Sequence, residues 1–510
     1  MFRTLQWAAG VIAVLVLTYF PIPARTQTAP GVQAETNGRQ YTPPLYVFSP
    51  SIPHDMVTHD VAAIGLQPFA DILAWQSFIA LNWPVPDPIA QRGIPDQQNI
   101  IGGFVTKGGE GGKGTSMPSG PTVWETYKDT ADIYLNPPVR PTPFDAPEKI
   151  PAICAAPAAA HPEAAEHVLT MTSKFDPLFQ GNLQADGNRL VDQNGQDVWC
   201  DVKLNRTYYD YVVNNGFYNS KNQQGKRIAF PYSSNTTANP ATIKVKAAWK
   251  IMGLLGSKQP DDPSRFYTTT ALILDTKTKT CDPRLVGLVG LHVVMKTKQL
   301  PQWLWATFEQ VDNAPDEGAP VVPGKKYNFN NPACTNCPVN MPPGAGDRTP
   351  TQVVRVVPVD SAAAGTNSLY QAALQGLRPD NVWQYYELVD AQWGATATPL
   401  GVPNQPKYLA NTTLETYLQE TSDPEKDKFH GCINCHGAFA GSTDLDFQLT
   451  NAYPRSSLLS AVHGGVAKVP ESPGGGRVIC LKASREPCAI LGSGSPGCRV
   501  GVGPDGLLRS

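Results

Sequence analysis

Apolar and polar positions alternate with period two along 243–251. Ile243, Val245, Ala247, Trp249 and Ile251 fall on one parity, and Lys244, Lys246, Ala248 and Lys250 on the other. Successive strand side chains point to opposite faces, so this pattern predicts a half-buried strand with one wet face. A β-rich run follows at 266–274, and 285–295 is apolar on both parities, as expected inside a sheet or sandwich. Segments 302–308, with Trp303 and Trp305, and 353–359 add two predicted strands. Helical spacing takes over at 68–83, where Phe69, Ile72, Leu73, Gln76, Ile79 and Ala80 recur, Pro68 sits near the first turn and Pro84 stops the run. Further helical patterns lie around 204–215 and 368–377. Thr412-x-x-Glu415 matches a capping box, with Leu414, Tyr417 and Leu418 as an apolar face, and predicts a short helix over 412–421. There is no internal repeat. The expected class is mainly β with helices (α+β): a large β-rich sheet or sandwich region over 46–410, then a short helical segment within 411–463.

Composition narrows the picture. Pro (49) and Gly (44) are abundant, which points to loop-rich structure rather than a helix bundle. The formal net charge is -2 and no basic stripe is present, which argues against a nucleic-acid partner. Arg3, an apolar run over 5–20 and the breakers Pro21 and Pro23 have the form of a secretory signal, here 1–26. The run is shorter than the roughly 20 residues of a membrane-spanning helix. Residues 22–24 make a poor cleavage site, so an uncleaved anchor tethering the chain to a membrane is the alternative. Either way the protein is expected to be exported, periplasmic or secreted. Residues 27–45 read as a flexible lead-in and 464–510 as a Gly/Pro/Ser-rich tail. The Gly-rich 107–114 lacks the G-K-[ST] ending of a phosphate cradle.

The chemistry concentrates in Cys432-Ile433-Asn434-Cys435-His436, a C-x-x-C-H run. Two thiols three positions apart can each add to a haem vinyl group, and the histidine after them can ligate the iron as its proximal ligand. A local disulfide with a bystander histidine, or half of a zinc site, are the competing readings; the next cysteine is only Cys480. Over 432–436 and its flanks the chain resembles the c-type cytochromes. The resemblance implies one covalent haem c, attached after export in bacteria, and a redox partner protein. Eight cysteines remain: Cys154, Cys200, Cys281, Cys334, Cys337, Cys480, Cys488 and Cys498. In an exported chain an even number reads as disulfides. Cys334-x-x-Cys337 has Pro338 where a haem histidine would stand, so a loop disulfide, internal or to Cys281, is expected ahead of a redox-active pair.

The small cytochrome c domain places a methionine ligand downstream of its motif, and here the chain departs from that pattern. None of its 7 methionines follows His436. His292 is the first candidate for a distal ligand, a polar group in an otherwise apolar strand that needs a partner or a role. Met295, three positions on, should point to the other face. His463 heads the glycine-rich tail, and His430 is too near Cys432 to reach the distal side. Two strong axial ligands leave iron to relay electrons only, whereas an open position permits binding of peroxide, oxygen or small gases. Electron transfer is the first expectation and a haem-dependent oxidoreductase or sensor the second. The second is suggested by the 400 or so residues before the motif, which a relay does not obviously need. A binding protein in which haem is secondary is the third. No hydrolase motif stands out.

Overall fold

The structure, a computed structural model, describes residues 48–58, 65–88, 90–97, 120–170, 188–234, 240–275, 278–320, 322–344, 347–394, 406–419, 431–452, 501–502 and 508–509. The expectations for 1–45, for 107–114, for most of the tail, and for His430, His463, Cys480, Cys488 and Cys498 fall outside these residues.

One curled, mixed sheet organises the fold. Its strands are β1 (Lys128–Asp129), β2 (Val168–Leu169), β3 (Val198–Leu204), β4 (Thr242–Ile251), β5 (Thr268–Asp275), β6 (Thr280–Lys296), β7 (Leu304–Gln310) and β8 (Tyr386–Gln392). A separate pair, β9 (Gly501–Val502) and β10 (Leu508–Arg509), runs antiparallel. β6 is the axis of the sheet. β4 lies along one of its edges, while β5 and then β7 share the other. Among the named strands of the described residues, β2 against β5 is the parallel pair. The helices are α1 (Gln67–Leu81), α2 (Thr130–Ile133), α3 (Ala155–Ala160), α4 (Arg206–Asn214), α5 (Ser361–Leu377) and α6 (Cys432–Ala440). Helix makes up 27% and strand 22%, so the α+β class holds, but "mainly β" overstates the strands. The strands β1–β8 form one sheet covered by helix and loop rather than a sandwich of two.

α1 is nearly as apolar as the core that surrounds it, with Phe69, Leu73, Trp75, Phe78 and Ile79 all buried. Trp75 stacks on Tyr370 of α5 with ring centroids 5.0 Å apart, and Phe78 stacks on Phe308 of β7 at 4.4 Å. Asp71 is buried within this helix, and the Gln67 amide bridges it to Asp390 of β8 at 2.9 and 2.7 Å. Burial, reinforced by the neighbouring Asp390, holds the Asp71 carboxyl well above its usual range. Burial likewise raises Asp390 to about 7.

Three sequence expectations change. The wet face of 243–251 is not wet: Lys244, Lys246 and Lys250 are only 6%, 8% and 1% exposed. A second layer of chain covers that side of the sheet, so period two marks two buried faces of different chemistry. The strand expected at 353–359 is reduced to an isolated bridge at Arg355, with another just before it at Gln352, and it is β8 that pairs along β7. The helix expected over 412–421 is a single 3₁₀ turn, Thr416–Leu418, with 420–421 outside the described residues. Its capping groups are drawn elsewhere. Asn411 bonds to Thr307 Oγ1 at 2.8 Å and to the Phe308 carbonyl at 3.0 Å. The Thr412 backbone N–H donates to buried Glu309 at 2.5 Å. The segment is thus pinned flat on β7, and it lies so close to β6 that a Cβ on Gly290 would collide with Thr413 Oγ1. The structure also joins Cys334 to Cys337 and Cys154 to Cys281.

Candidate functional site

Register carries two rows of side chains across the covered face of the sheet. One runs Val202, Lys246, His292 and Thr307; the next runs Leu204, Lys244, Val294 and Trp305. Met295 is on the other face, its Sδ 3.2 Å from Ser77 Oγ of α1. The expected separation of His292 and Met295 is therefore what the strand delivers.

α6 lies on this covered face. Positions 432, 435 and 436 are related by i, i+3 and i+4, so Cys432, Cys435 and His436 share one side of the helix. The first turn is anchored from β8: Gln392 Oε1 accepts from the Ile433 N–H at 2.8 Å, one of the donors that a helix start leaves unpaired. Gly431 permits this approach, since a Cβ there would run into Gln392. His436 packs between Trp305 and Phe447, at ring-centroid distances of 4.3 and 4.5 Å. Its Nδ1 is 2.8 Å from the Leu445 carbonyl. A carbonyl only accepts, so Nδ1 carries the proton and Nε2 the lone pair. The left-handed pair Asp444 (φ 56) and Leu445 (φ 64) makes the turn that presents this carbonyl. It is held there by Phe230 N–H on the Asp444 carboxylate at 2.7 Å and by Trp303 Nε1 on the Asp444 carbonyl at 3.0 Å.

Between helix and sheet is a cavity, open on one side. Cys432, Cys435 and His436 line it from the helix, His292 and Lys246 from the sheet, and Glu415 from the overlying segment. Val202, Val294, Trp305, Leu409 and Phe447 supply most of the remaining surface, which is apolar. His292 Nε2 is 3.0 Å from Glu415 Oε1, and Glu415 Oε2 accepts from the Asn411 N–H at 3.1 Å. Lys244 extends over the Trp303 and Trp305 rings, at 4.6 and 5.3 Å, and pairs with buried Asp446 at 3.4 Å. All four residues singled out from sequence thus meet in one place.

The donors fit a covalently held haem. The two cysteines have the required spacing on one helix face, the histidine tautomer has its lone pair on Nε2, and the walls are apolar. Among the described residues no three His, Cys, Asp or Glu side chains gather as a bare ion would require. A haem asks less of the protein, because the macrocycle supplies four nitrogens. Sequence reasoning did not assign Glu415, Lys246, Trp305 or Gln392 to the site. Glu415 carried a capping signal, and the alternation that marks Lys246 describes a solvent face equally well. No family model, curated protein or solved structure matches the chain.

Proposed function

We propose that the protein is an exported c-type cytochrome with one covalently held haem, acting as an electron relay to or from a redox partner protein. The observation that carries this reading is the convergence of Cys432, Cys435 and His436 on a cavity whose sheet wall bears His292. Cys432 and Cys435 would hold the thioethers, and His436, oriented through Leu445, would be the proximal ligand. Trp305 and Phe447 flank its ring. When bound, haem supplies an iron that gains and loses one electron. With His292 as a further ligand, the two histidines would favour electron relay at a lower potential than a Met/His pair. The apolar N-terminal run supports export, because covalent attachment in this family follows it.

One observation favours a second reading. A carboxylate only accepts, so ionised Glu415 keeps the proton on His292 Nε2, the nitrogen that would otherwise face a metal. His292 would then serve as a hydrogen-bonding group beside an open iron position, as a haem oxidoreductase or a sensor of peroxide or gas requires.

Attachment is tested first. Wild-type protein should keep its haem through denaturing electrophoresis, and Cys432→Ala with Cys435→Ala should leave none bound covalently; a wild type that sheds all its haem ends this proposal. A reporter that works only outside the cytoplasm, fused after Ser510, should be active. The ferrous protein then separates the two readings. A relay with His292 bound is low-spin and insensitive to carbon monoxide until His292→Ala opens it. Rapid carbon monoxide binding by the wild type selects the second reading.

A further inference from the structure

The start of α1 meets β8 through carboxyl groups that are short of donors. Asp71 is 0% exposed and Asp390 3%. Both Oδ1 atoms and the Ala391 carbonyl converge on Gln67 Nε2, at 2.9, 2.7 and 2.9 Å. An amide nitrogen has only two hydrogens to offer these acceptors. Asp71 Oδ2, also buried, has no hydrogen-bond partner. No ion pair to Lys, Arg or His reaches either aspartate among the described residues, and the charges that act on Asp71 are those of Asp390 and of Asp360 at the start of α5, both acidic. α1 and α5 carry no other Asp, Glu, Lys, Arg or His. The charged groups on the neighbouring strands are engaged elsewhere: Glu387 of β8 and Glu309 of β7 by Arg355, Lys296 of β6 by Asp444, and His292 by Glu415. Two ionised carboxylates would thus form an unmatched double charge in the interior, which one bound proton relieves while adding an O–H donor.

The same amide grips the stretch of β8 that anchors α6. Besides Asp390 and the Ala391 carbonyl on Nε2, Gln67 accepts from Trp393 Nε1 on Oε1 at 2.8 Å. Gln392 lies between these residues, accepting from the Ile433 N–H at 2.8 Å and donating to the Pro406 carbonyl at 2.7 Å.

We propose that Asp71 and Asp390 together bind a proton and form a pH-released latch between α1 and the end of β8, the stretch that anchors α6 through Gln392. Burial, with Asp390 adding to it, holds the Asp71 carboxyl well above its usual range, and burial raises Asp390 to about 7. A carboxyl raised in this way contributes stability that is full below its unfolded value of roughly 4 and is lost as pH rises through the folded one. The latch is therefore closed in acid and opens as pH passes about 7. Ionisation then leaves two like charges on one amide, and Gln67 loosens its hold on 390–393.

The test follows urea unfolding of the full chain from about pH 5 to 9 as wild type, Asp71→Asn and Asp390→Asn. Amide hydrogen exchange over 431–435, corrected for the intrinsic rate, is measured alongside. Asparagine keeps the shape and is neutral at every pH. Relative to wild type, Asp71→Asn should therefore gain stability as pH rises, by up to about tenfold in the folding equilibrium constant per pH unit. Exchange over 431–435 should quicken above about pH 7 in the wild type and stay level in Asp71→Asn. Parallel stability profiles overturn the bound proton. Diverging profiles with 431–435 equally protected in wild type and variant overturn the link to α6, and with it the latch. Should Asp71→Asn not fold, Asp390→Asn decides by the same comparison, its divergence from wild type falling between about pH 5 and 7. Neither readout needs haem, so a failure of the haem reading registers separately, as a wild type without covalent haem, and leaves this test in place.

Discussion

Two regions on opposite faces of β3 and β4, one around Lys203 and one around Lys246, differ in how their charges are paired. On the α1 side of the sheet, Lys203 of β3 is 3% exposed and lies among carboxylates, with Glu148 at 3.1 Å and Asp129 at 3.4 Å. Arg92, also buried, is paired with Glu166 at 2.7 Å. Burial raises Glu148 to about 7, with Lys203 pulling the other way, and raises Asp201 to about 7 for the same reasons. His167, 3.7 Å from Asp201, is pushed down to about 3, chiefly by burial. That region is closed on itself: its charges are matched by charges of the same chain, and its role is to hold β1, β3 and the segment around Glu148 together. On the other side, Lys246 has no ion pair among the described residues, His292 meets the Glu415 carboxylate, and the surroundings are apolar and partly open. One region binds its charges to one another in the interior, and the other carries its lysine stem inside and leaves the ammonium without an ion pair.

The largest effect expected from this contrast is on Lys203. Changing it to Met strands Glu148 and Asp129 in the interior, and removing one partner of a buried pair costs about 3–5 kcal/mol. Denaturant unfolding of Lys203→Met measures it, and a loss below about 1 kcal/mol would show that these ion pairs do not hold the region together. Lys244 is intermediate. Lys244→Met leaves Asp446 without its cation and removes the ammonium from the Trp303 and Trp305 faces, at a cost of about 1–3 kcal/mol. The same unfolding experiment ranks it between the other two.

A third test uses pH. Between about pH 4 and 6.5 the raised Asp201 binds a proton in the folded chain that it has lost in the unfolded one, so its contribution to stability falls as pH rises. His167 does the reverse: with its folded value lowered, it is neutral when folded and protonated when unfolded, so its contribution rises with pH across that window. The two slopes oppose one another in the wild type. Asp201→Asn removes one of them, and the stability of the variant relative to wild type should climb by about 1.4 kcal/mol per pH unit over that range. Parallel wild-type and variant profiles between pH 4.5 and 6 would contradict the assignment.

The smallest effect is expected at Lys246. Its stem is buried but its ammonium makes no ion pair among the described residues, so Lys246→Met should change the stability of the haem-free chain by less than about 1 kcal/mol. A loss as large as that of Lys203→Met would erase the contrast between the two regions.

Much of the frame was legible along the chain. α1, α4, β4, β5, β6 and β7 follow apolar periodicities strong enough to place them within a few residues, because side-chain period is a local property of backbone geometry. β3 and β8 were not foreseen. Asp201 and Lys203 interrupt the apolar run of one, and Glu387 and Asp390 that of the other, and these charges are paired with groups far away in sequence. The helix expected at 412–421 failed for a related reason. Its capping groups found Thr307, Glu309 and His292 across space, and those bonds outweighed a local helix start.

The sequence by itself determined the chemistry that can occur: two thiols and a histidine at the spacing a haem needs, and a lone histidine in an apolar strand on the face opposite Met295. Both are short-range facts, set by covalent spacing and by the alternation of strand side chains. Only the tertiary structure decided that the lysine face of β4 is buried, that α6 lies against it, and that His292, Glu415 and Lys246 border the same cavity as Cys432, Cys435 and His436. Period two states that a strand has two faces but not what covers each. The cover here comes from chain about 100 to 200 residues further on, brought in by Asn411, Glu415, Asp444 and Asp446 as they bond to the polar positions of β4, β6 and β7.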